Sequence, residues 1–251
     1  MSEEHIKISL CTTCHNRTYQ FVEVFAKNIE ILNLHPDVEW IVVNYNSHDN
    51  LDYFIRGMLP NTTDRFVYVI DNIPKIWHAG IANNISHRCA TNSSIVVMNL
   101  DADNFIGDSI DLIKNKMING TVDLLHTWSG NYDDGTYGRI AIKKNKFYEI
   151  CGYDESFYPM GYQDTDFINR ARLMGSNYLR VPCGENFAIL NTKDDWVKYC
   201  SVPGMTWREF NLENKRKSNF NIKNGKLVAN NNMFSELNII KIRGNGKLPF
   251  G

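Results

Sequence analysis

Ser94-Ile95-Val96-Val97-Met98-Asn99-Leu100-Asp101-Ala102-Asp103 decides how the chain is read. A mostly apolar run with the character of a buried strand delivers two carboxylates, one residue apart, to its end. Aspartate is among the costliest side chains to bury. In an extended segment the side chains at i and i+2 face the same way, so the pair either finishes a turn or holds something cationic. Hard oxygen ligands suit Mg²⁺ or Mn²⁺, which bind one or two protein carboxylates and leave the other positions to water and phosphate oxygens. The competing reading is a helix start, because Asp favours turns and N-caps.

Outward from this stretch, strand and helix patterns alternate. Ile6 to Thr12 reads as a first strand, and Thr18 to Leu34 as an amphipathic helix with Phe21, Val24, Phe25, Ile29 and Leu32 on one side. Val38 to Asn44 is a second strand, Leu51 to Met58 a short helix, and Arg65 to Ile70 a third strand. A helix from Ala79 to Thr91 leads into Ser94 to Leu100. After Asp108, read as a cap, follow a helix to Met117, strands at Val122 to His126 and Tyr137 to Ile142, and helices at Lys143 to Ile150 and Gln163 to Met174. This rhythm predicts an α/β fold with a mostly parallel sheet covered on both faces. In such sheets ligands collect at the carboxyl ends of the strands. Those ends carry Cys14-His15-Asn16-Arg17, Asn44 to Asp49 and Asp101-Ala102-Asp103, three polar clusters expected to converge. Residues 1–195 are read as one nucleotide- and acceptor-binding domain, and 196–251, without clear period, as an irregular lid or docking extension on it.

Length and composition agree with one domain. The chain has 251 residues and a formal net charge of −1, which argues against broad attraction to nucleic acid or anionic membrane. Met1 to His5 is polar and acidic, and no apolar run reaches the roughly 18 residues of a membrane span, so the expectation is a cytoplasmic protein with at most peripheral membrane contact. Six scattered cysteines are expected to be reduced. Cys11-Thr12-Thr13-Cys14 has the spacing of redox and zinc sites, against which stands a plain pair of small strand-end residues.

Three motifs in order resemble the GT-A glycosyltransferases, especially the family 2 group and the galactosyltransferase-like C-terminal module. Thr12-Thr13-Cys14-His15-Asn16-Arg17 is similar to the nucleotide-meeting element that closes strand one in that family. Asp101-Ala102-Asp103 looks like its Asp-x-Asp metal motif. Gly161-Tyr162-Gln163-Asp164-Thr165-Asp166-Phe167 is similar to its Trp-Gly-x-Glu-Asp-x-Asp-Phe segment, in which the first Asp is the catalytic base. The stretch from Gly138-Arg139 to Gly152-Tyr153-Asp154-Glu155 looks like the strand, helix and turn preceding that base. The likeness covers residues 6 to 190, with departures. Gln163 replaces the usual Glu and Met160 the usual Trp, Asn83-Asn84 stands for Arg-Asn, and no His follows His126 to serve as a metal ligand. Asn191, Asp194 or water is left to complete the metal shell.

The resemblance implies an inverting transfer of a hexose or N-acetylhexosamine from a UDP-sugar, UDP-galactose or UDP-N-acetylgalactosamine by the galactosyltransferase-like second half, to a saccharide or lipid-linked acceptor, in surface polysaccharide or glycoconjugate synthesis. Mn²⁺ or Mg²⁺ would sit on Asp103 and Asp101, and Asp164 would be the general base. Thr13, Asn16, Arg17, Asn46, Asp49, Asn84, Asp101 and Gly138 would contact the donor, and Tyr162, Gln163 and Asp166 the acceptor. Arg17 and Asp49 have structural alternatives, as a surface ion pair and an N-cap. Tyr158, Tyr162 and Trp128 are either sugar-stacking rings or ordinary partly buried aromatics, and His78 and His126 read as structural. The rival functions are a sugar-phosphate nucleotidyltransferase, for which the strand-one loop lacks glycines and basic residues, and a non-catalytic sugar-nucleotide-binding protein.

Overall fold

Strand β1 (Ile8–Cys14) is buried at all of its positions and forms the middle of the sheet. β2 (Val38–Tyr45) and β4 (Val96–Asn99) flank it, both parallel to it, and β3 (Phe66–Asp71) continues in parallel beyond β2. This description comes from a computed structural model covering residues 5–74, 76–184, 187–190, 198, 200 and 204–244. On the far side of β4 the sheet turns antiparallel with β6 (Ile140–Lys143) and β5 (Leu124–Thr127), and β7 (Tyr178–Val181) then runs parallel to β5. β8 (Ile240–Arg243) closes the opposite edge, antiparallel to β3. The order is β7-β5-β6-β4-β1-β2-β3-β8.

Successive residues of the central strands feed two cores, as the pleat requires. Leu10, Trp40, Val42 and Tyr68 face α1 (Thr18–Leu34), α2 (Leu51–Met58) and α4 (Ser109–Ile113), with Phe21, Phe25, Ile55 and Ile110 among them. Cys11, Ile41, Val43 and Val69 face α3 (Ala79–Arg88), α5 (Lys144–Glu149) and α6 (Gln163–Leu173), with Ala82, Ile85, Phe147 and Phe167. Both faces of the parallel half are therefore covered, which explains why its strands read as continuous apolar runs. Cys11 and Cys14 lie on opposite faces of β1, in different cores, and burial pushes both thiols up. Neither forms a disulfide, and the described residues hold no cluster of three or more His, Cys, Asp and Glu able to bind a metal.

The helices α1 and α2 have the expected bounds, whereas the helix expected to reach Met117 is α-helical only to Ile113 and then widens into a π turn over Lys114–Ile118. Asp108 holds the N-cap position there without accepting a side-chain hydrogen bond. Two departures change the architecture. β7 was not anticipated; its residues are half-exposed, so they carry no apolar run. The extension is not irregular either: Trp207–Lys223 is a 17-residue helix, α7, opened by a Thr206/Glu209 capping box, and Ile240–Arg243 is the edge strand β8. The buried residues of α7 are Phe210, Asn214 and Ser218, one apolar and two polar, so no apolar period betrays the helix. No described helix is long and apolar enough to cross a membrane.

Candidate active site

A cavity of about 610 Å³ opens at the carboxyl ends of β1 and β4, where connections leave β1 toward one edge of the sheet and β4 toward the other. The strand-end residues Thr13, Arg17, Asp101 and Asp103 line it on one side, Gly138 and Tyr132 bound it on a second, and Tyr162, Gln163 and Asp164 from the start of α6 bound it on a third.

The two strand-end carboxylates are held by the polypeptide that follows them. Asn99, the last residue of β4, donates from Nδ2 to Asp101 Oδ1 and to the Gly138 carbonyl, both at 2.9 Å. Asp103 Oδ1 accepts from Asn104 Nδ2 at 2.7 Å. Asn104 accepts in turn from the fully buried Arg139, whose guanidinium also bonds the carbonyls of Phe105 and Ile106 and the Ser109 hydroxyl. Asn28 of α1 ties the same loop from the other side, through the Asn104 carbonyl and the Ile106 amide. The loop behind the acidic pair is thus braced by the residue that precedes β6 and from α1. Burial, and after it the neighbouring charge of Asp103, push the Asp101 carboxyl up to about 7. Two crowded carboxylates with hard oxygens are a donor set that a divalent cation would relieve.

The second wall begins with strained backbone. Gly161 and Tyr162 both have left-handed φ, 89° and 63°, and the Tyr162 conformation is unfavourable for a side chain with a Cβ. That turn starts α6 so that Asp164 faces the cavity within the first helical turn. Asp164 Oδ2 accepts from Gln163 Nε2 at 3.2 Å, and its buried Oδ1 has no hydrogen-bond partner among the described residues. Burial, with a smaller contribution from Asp101, pushes this carboxyl up to about 7 as well. The turn is clamped from α7: Asn214, fully buried, donates to the carbonyls of Tyr158, Met160 and Gly161 and accepts from the Tyr158 amide.

No protein family matches the sequence, and no curated protein matches it. Solved structures do resemble the fold. A Drosophila β1,4-galactosyltransferase 7 mutant in complex with manganese, UDP-Gal and xylobiose superposes with a TM-score of 0.55 at 13% identity, over 82% of this chain and 79% of that one. A mannosyltransferase of Pyrobaculum calidifontis with GDP-Man and Mn²⁺ gives 0.55 at 12%, over 88% and 72%. Glucosyl-3-phosphoglycerate synthase of Mycobacterium tuberculosis with Mn²⁺, UDP and glucosyl-3-phosphoglycerate gives 0.55 at 16%, over 79% and 81%. The chain has the GT-A fold.

Within this GT-A fold, eight of the residues singled out from the sequence share the cavity: Thr13, Arg17, Asp101, Asp103, Gly138, Tyr162, Gln163 and Asp164. Five do not line it. Asn16, with φ 55°, accepts from the His48 amide, and Asn46, with φ 48°, donates to the Pro74 carbonyl. Asp49 bonds the amides of Thr18 and Leu51, joining the starts of α1 and α2. Asn84 is buried against Tyr153 and Glu155. Asp166 is buried in an ion pair with Arg170 at 2.7 Å. The first four knit the GT-A loops together, and Asp166 ties one turn of α6 to the next. Asn191 and Asp194 lie outside the described residues.

His78 and His126 hold hydrogen-bonded positions away from the cavity lining, whereas His15 lines it. His78 accepts from the Ile81 amide as the N-cap of α3 and donates to the Phe157 carbonyl. His126 lies between Tyr137 and Tyr178, with burial pushing it down to about 4. Trp128 is buried, and the ring exposed over it at the cavity is Tyr132, 4.6 Å away between centroids. Tyr132 and Tyr137, together with Trp207, Asn211 and Lys215 of α7, are cavity residues that sequence reasoning missed. The aromatic spacing around Trp128 was a usable signal for the first pair; for α7 there was none.

Proposed function

We propose that this protein is a metal-dependent, inverting glycosyltransferase acting from a nucleotide sugar on a saccharide or lipid-linked acceptor. The observation that carries the reading is Asp164: a carboxylate oxygen with no partner among the described residues, on the wall of a cavity whose other wall presents two crowded carboxylates. General-base catalysis needs a carboxylate within hydrogen-bond reach of the hydroxyl it deprotonates, with a pKa near the working pH, and burial puts Asp164 there. A single displacement assisted by one base inverts the anomeric centre.

Asp101 and Asp103 fit Mn²⁺ or Mg²⁺, which bind through one or two carboxylates and fill the remaining positions with water and diphosphate oxygens. When bound, the ion would neutralise charge building on the leaving diphosphate. Arg17 adds a cation on the same wall for that diphosphate, and Thr13 contributes a hydroxyl bonded to Asn83. Gln163 orients Asp164 through its amide, and Tyr162 and Tyr132 offer ring faces to sugars. UDP-Gal, manganese and xylobiose in one structural neighbour, and UDP with Mn²⁺ in another, support these classes of donor, ion and acceptor. Six buried cysteines, none in a disulfide, support a cytoplasmic setting. A role in surface polysaccharide or glycoconjugate synthesis follows from that chemistry.

The test is release of nucleoside diphosphate from UDP-galactose, UDP-glucose, their N-acetylamino forms and GDP-mannose, with Mn²⁺, Mg²⁺ or EDTA. Metal-dependent release that disappears in Asp103→Ala supports the reading. Donor binding that survives both EDTA and Asp103→Ala, with no turnover of any donor, would instead mark a sugar-nucleotide-binding protein.

A further inference from the structure

Helix α7 carries Trp207, Asn211 and Lys215 at intervals of four residues, and all three line the cavity. Such spacing puts them on one stripe of the helix. The adjacent stripe, Phe210, Asn214 and Ser218, is buried, and Asn214 is bonded to the backbone of 158–161. A Cβ on Gly161 would lie 3.0 Å from Asn211 Cα, so the helix backbone abuts the turn that presents Asp164. The lining stripe is therefore fixed relative to the base by backbone contact.

The charges on this wall are unevenly used. Arg216 pairs with Glu213, and Lys217 donates to the Ser156 carbonyl. Lys215 makes no hydrogen bond or ion pair with any described residue. The cavity is otherwise acidic: Asp101, Asp103, Asp133 and Asp164 line it, and among the described residues its only Lys or Arg side chains are Arg17 and Lys215. Arg17 belongs to the strand-end wall with Asp101 and Asp103, where the diphosphate is placed. Lys215 belongs to the wall of Asp164. Four carboxylates repel an anionic acceptor unless a cation meets it, and a neutral acceptor gains less from an ammonium at that point than an anionic one does.

Building on the transfer reading, we propose that Trp207, Asn211 and Lys215 form the acceptor subsite, and that the acceptor is a saccharide bearing a carboxylate or phosphate. The Trp207 ring would pack on the apolar face of the sugar, and Lys215 would hold the anionic group. Selectivity would come from charge: the carboxylates that repel an anion elsewhere in the cavity leave Lys215 as its one favourable position on this wall.

Equilibrium binding of methyl β-D-glucuronide, methyl β-D-galacturonide, methyl β-D-glucoside 6-phosphate and the neutral methyl glucoside and galactoside, in the presence of UDP and Mn²⁺, tests this. Wild type is expected to prefer anionic glycosides over their neutral counterparts by roughly tenfold, the scale of one charge-assisted hydrogen bond. Lys215→Gln, at an exposed position, should erase that preference, and Lys215→Arg should keep it. The uronides and the 6-phosphate tell carboxylate from phosphate. Equal binding of charged and neutral glycosides by wild type, or a preference that persists in Lys215→Gln, overturns the proposal. Weaker UDP–Mn²⁺ binding in Lys215→Gln with saccharide selectivity intact would assign the lysine to the donor and overturn it equally. Nucleoside diphosphate release is read separately: release without anionic preference defeats only the subsite, and anionic preference without release defeats the transfer reading.

Discussion

The Asp101 carboxylate occupies the space that any side chain at position 138 would need: a Cβ on Gly138 would stand 2.5 Å from its Oδ2 and 3.3 Å from Asn99 Nδ2. The glycine is required here by close approach, since its φ is not positive. Gly138→Ala is expected to displace Asp101 and weaken Mn²⁺ binding by roughly 10–100-fold, as loss of a ligand's supporting contacts does. Gly57→Ala in α2, where an added Cβ meets nothing within 4 Å, should leave the affinity alone and stabilise the fold by about 0.5–1 kcal/mol. Titration with Mn²⁺ checks both; equal affinities in the two variants would dissociate Gly138 from the acidic pair.

Asp164 sets a pH dependence of definite sign. Its carboxyl is raised to about 7 by burial and by Asp101, and it must be ionised to accept a proton. Transfer should therefore rise with pH through about 7. Because the folded value lies above the unfolded one of about 3.9, ionisation costs stability as pH rises. Asp164→Asn should accordingly unfold with wild type near pH 4 and become the more stable of the two through pH 7, while losing transfer. Thermal unfolding of both proteins without metal across that range is the measurement; a Tm difference independent of pH would contradict the buried carboxylate.

Asn214 acts at a distance through the Tyr158–Gly161 backbone. Asn214→Leu leaves three carbonyls and one amide without their partner and should cost about 2–4 kcal/mol. In the fraction that folds, kcat should fall more than donor KM changes, because the turn presenting Asp164 is released. Ser218→Ala on the same stripe is the contrast. The Ser218 hydroxyl is buried without a partner among the described residues, so its removal should be neutral or slightly stabilising. Urea unfolding and initial rates on the pair separate the two effects.

Arg139 makes four hydrogen bonds into 104–109 from a fully buried position, and burial holds its guanidinium down to about 10. Arg139→Met should destabilise by about 3 kcal/mol or more and loosen Asp103 through Asn104. Arg139→Lys should not rescue it, because a single ammonium cannot reach acceptors arranged for a planar fork. Mn²⁺ affinity and the urea midpoint are the readouts; full activity in Arg139→Lys would show that charge alone suffices.

The part of the site legible in the sequence is the part carried by short contiguous patterns. Asp101 and Asp103 end an apolar strand, and Asp164 opens a helix after Gly161, so their residue types and their elements announce them together. Asn16, Asn46, Asp49 and Asn84 have residue types equally suited to ligands and to loops, and the backbone amides and carbonyls that engage them come from 28 to 69 residues away or from the next helix start. Asp166 looked like a second acceptor group, but its i+4 neighbour Arg170 holds it inside.

Alternation of apolar strands and amphipathic helices by itself determined the α/β fold, the bounds of α1 and α2 and the placing of acidic groups at strand ends, because burial periodicity is local and each strand buried on both faces must be apolar throughout. Only tertiary structure decided the rest. The register of β8 on β3, the helix α7 with its polar buried stripe, the Arg139 brace and the approach of Gly138 to Asp101 all join residues distant in sequence through hydrogen bonds and excluded volume, and no local pattern encodes those.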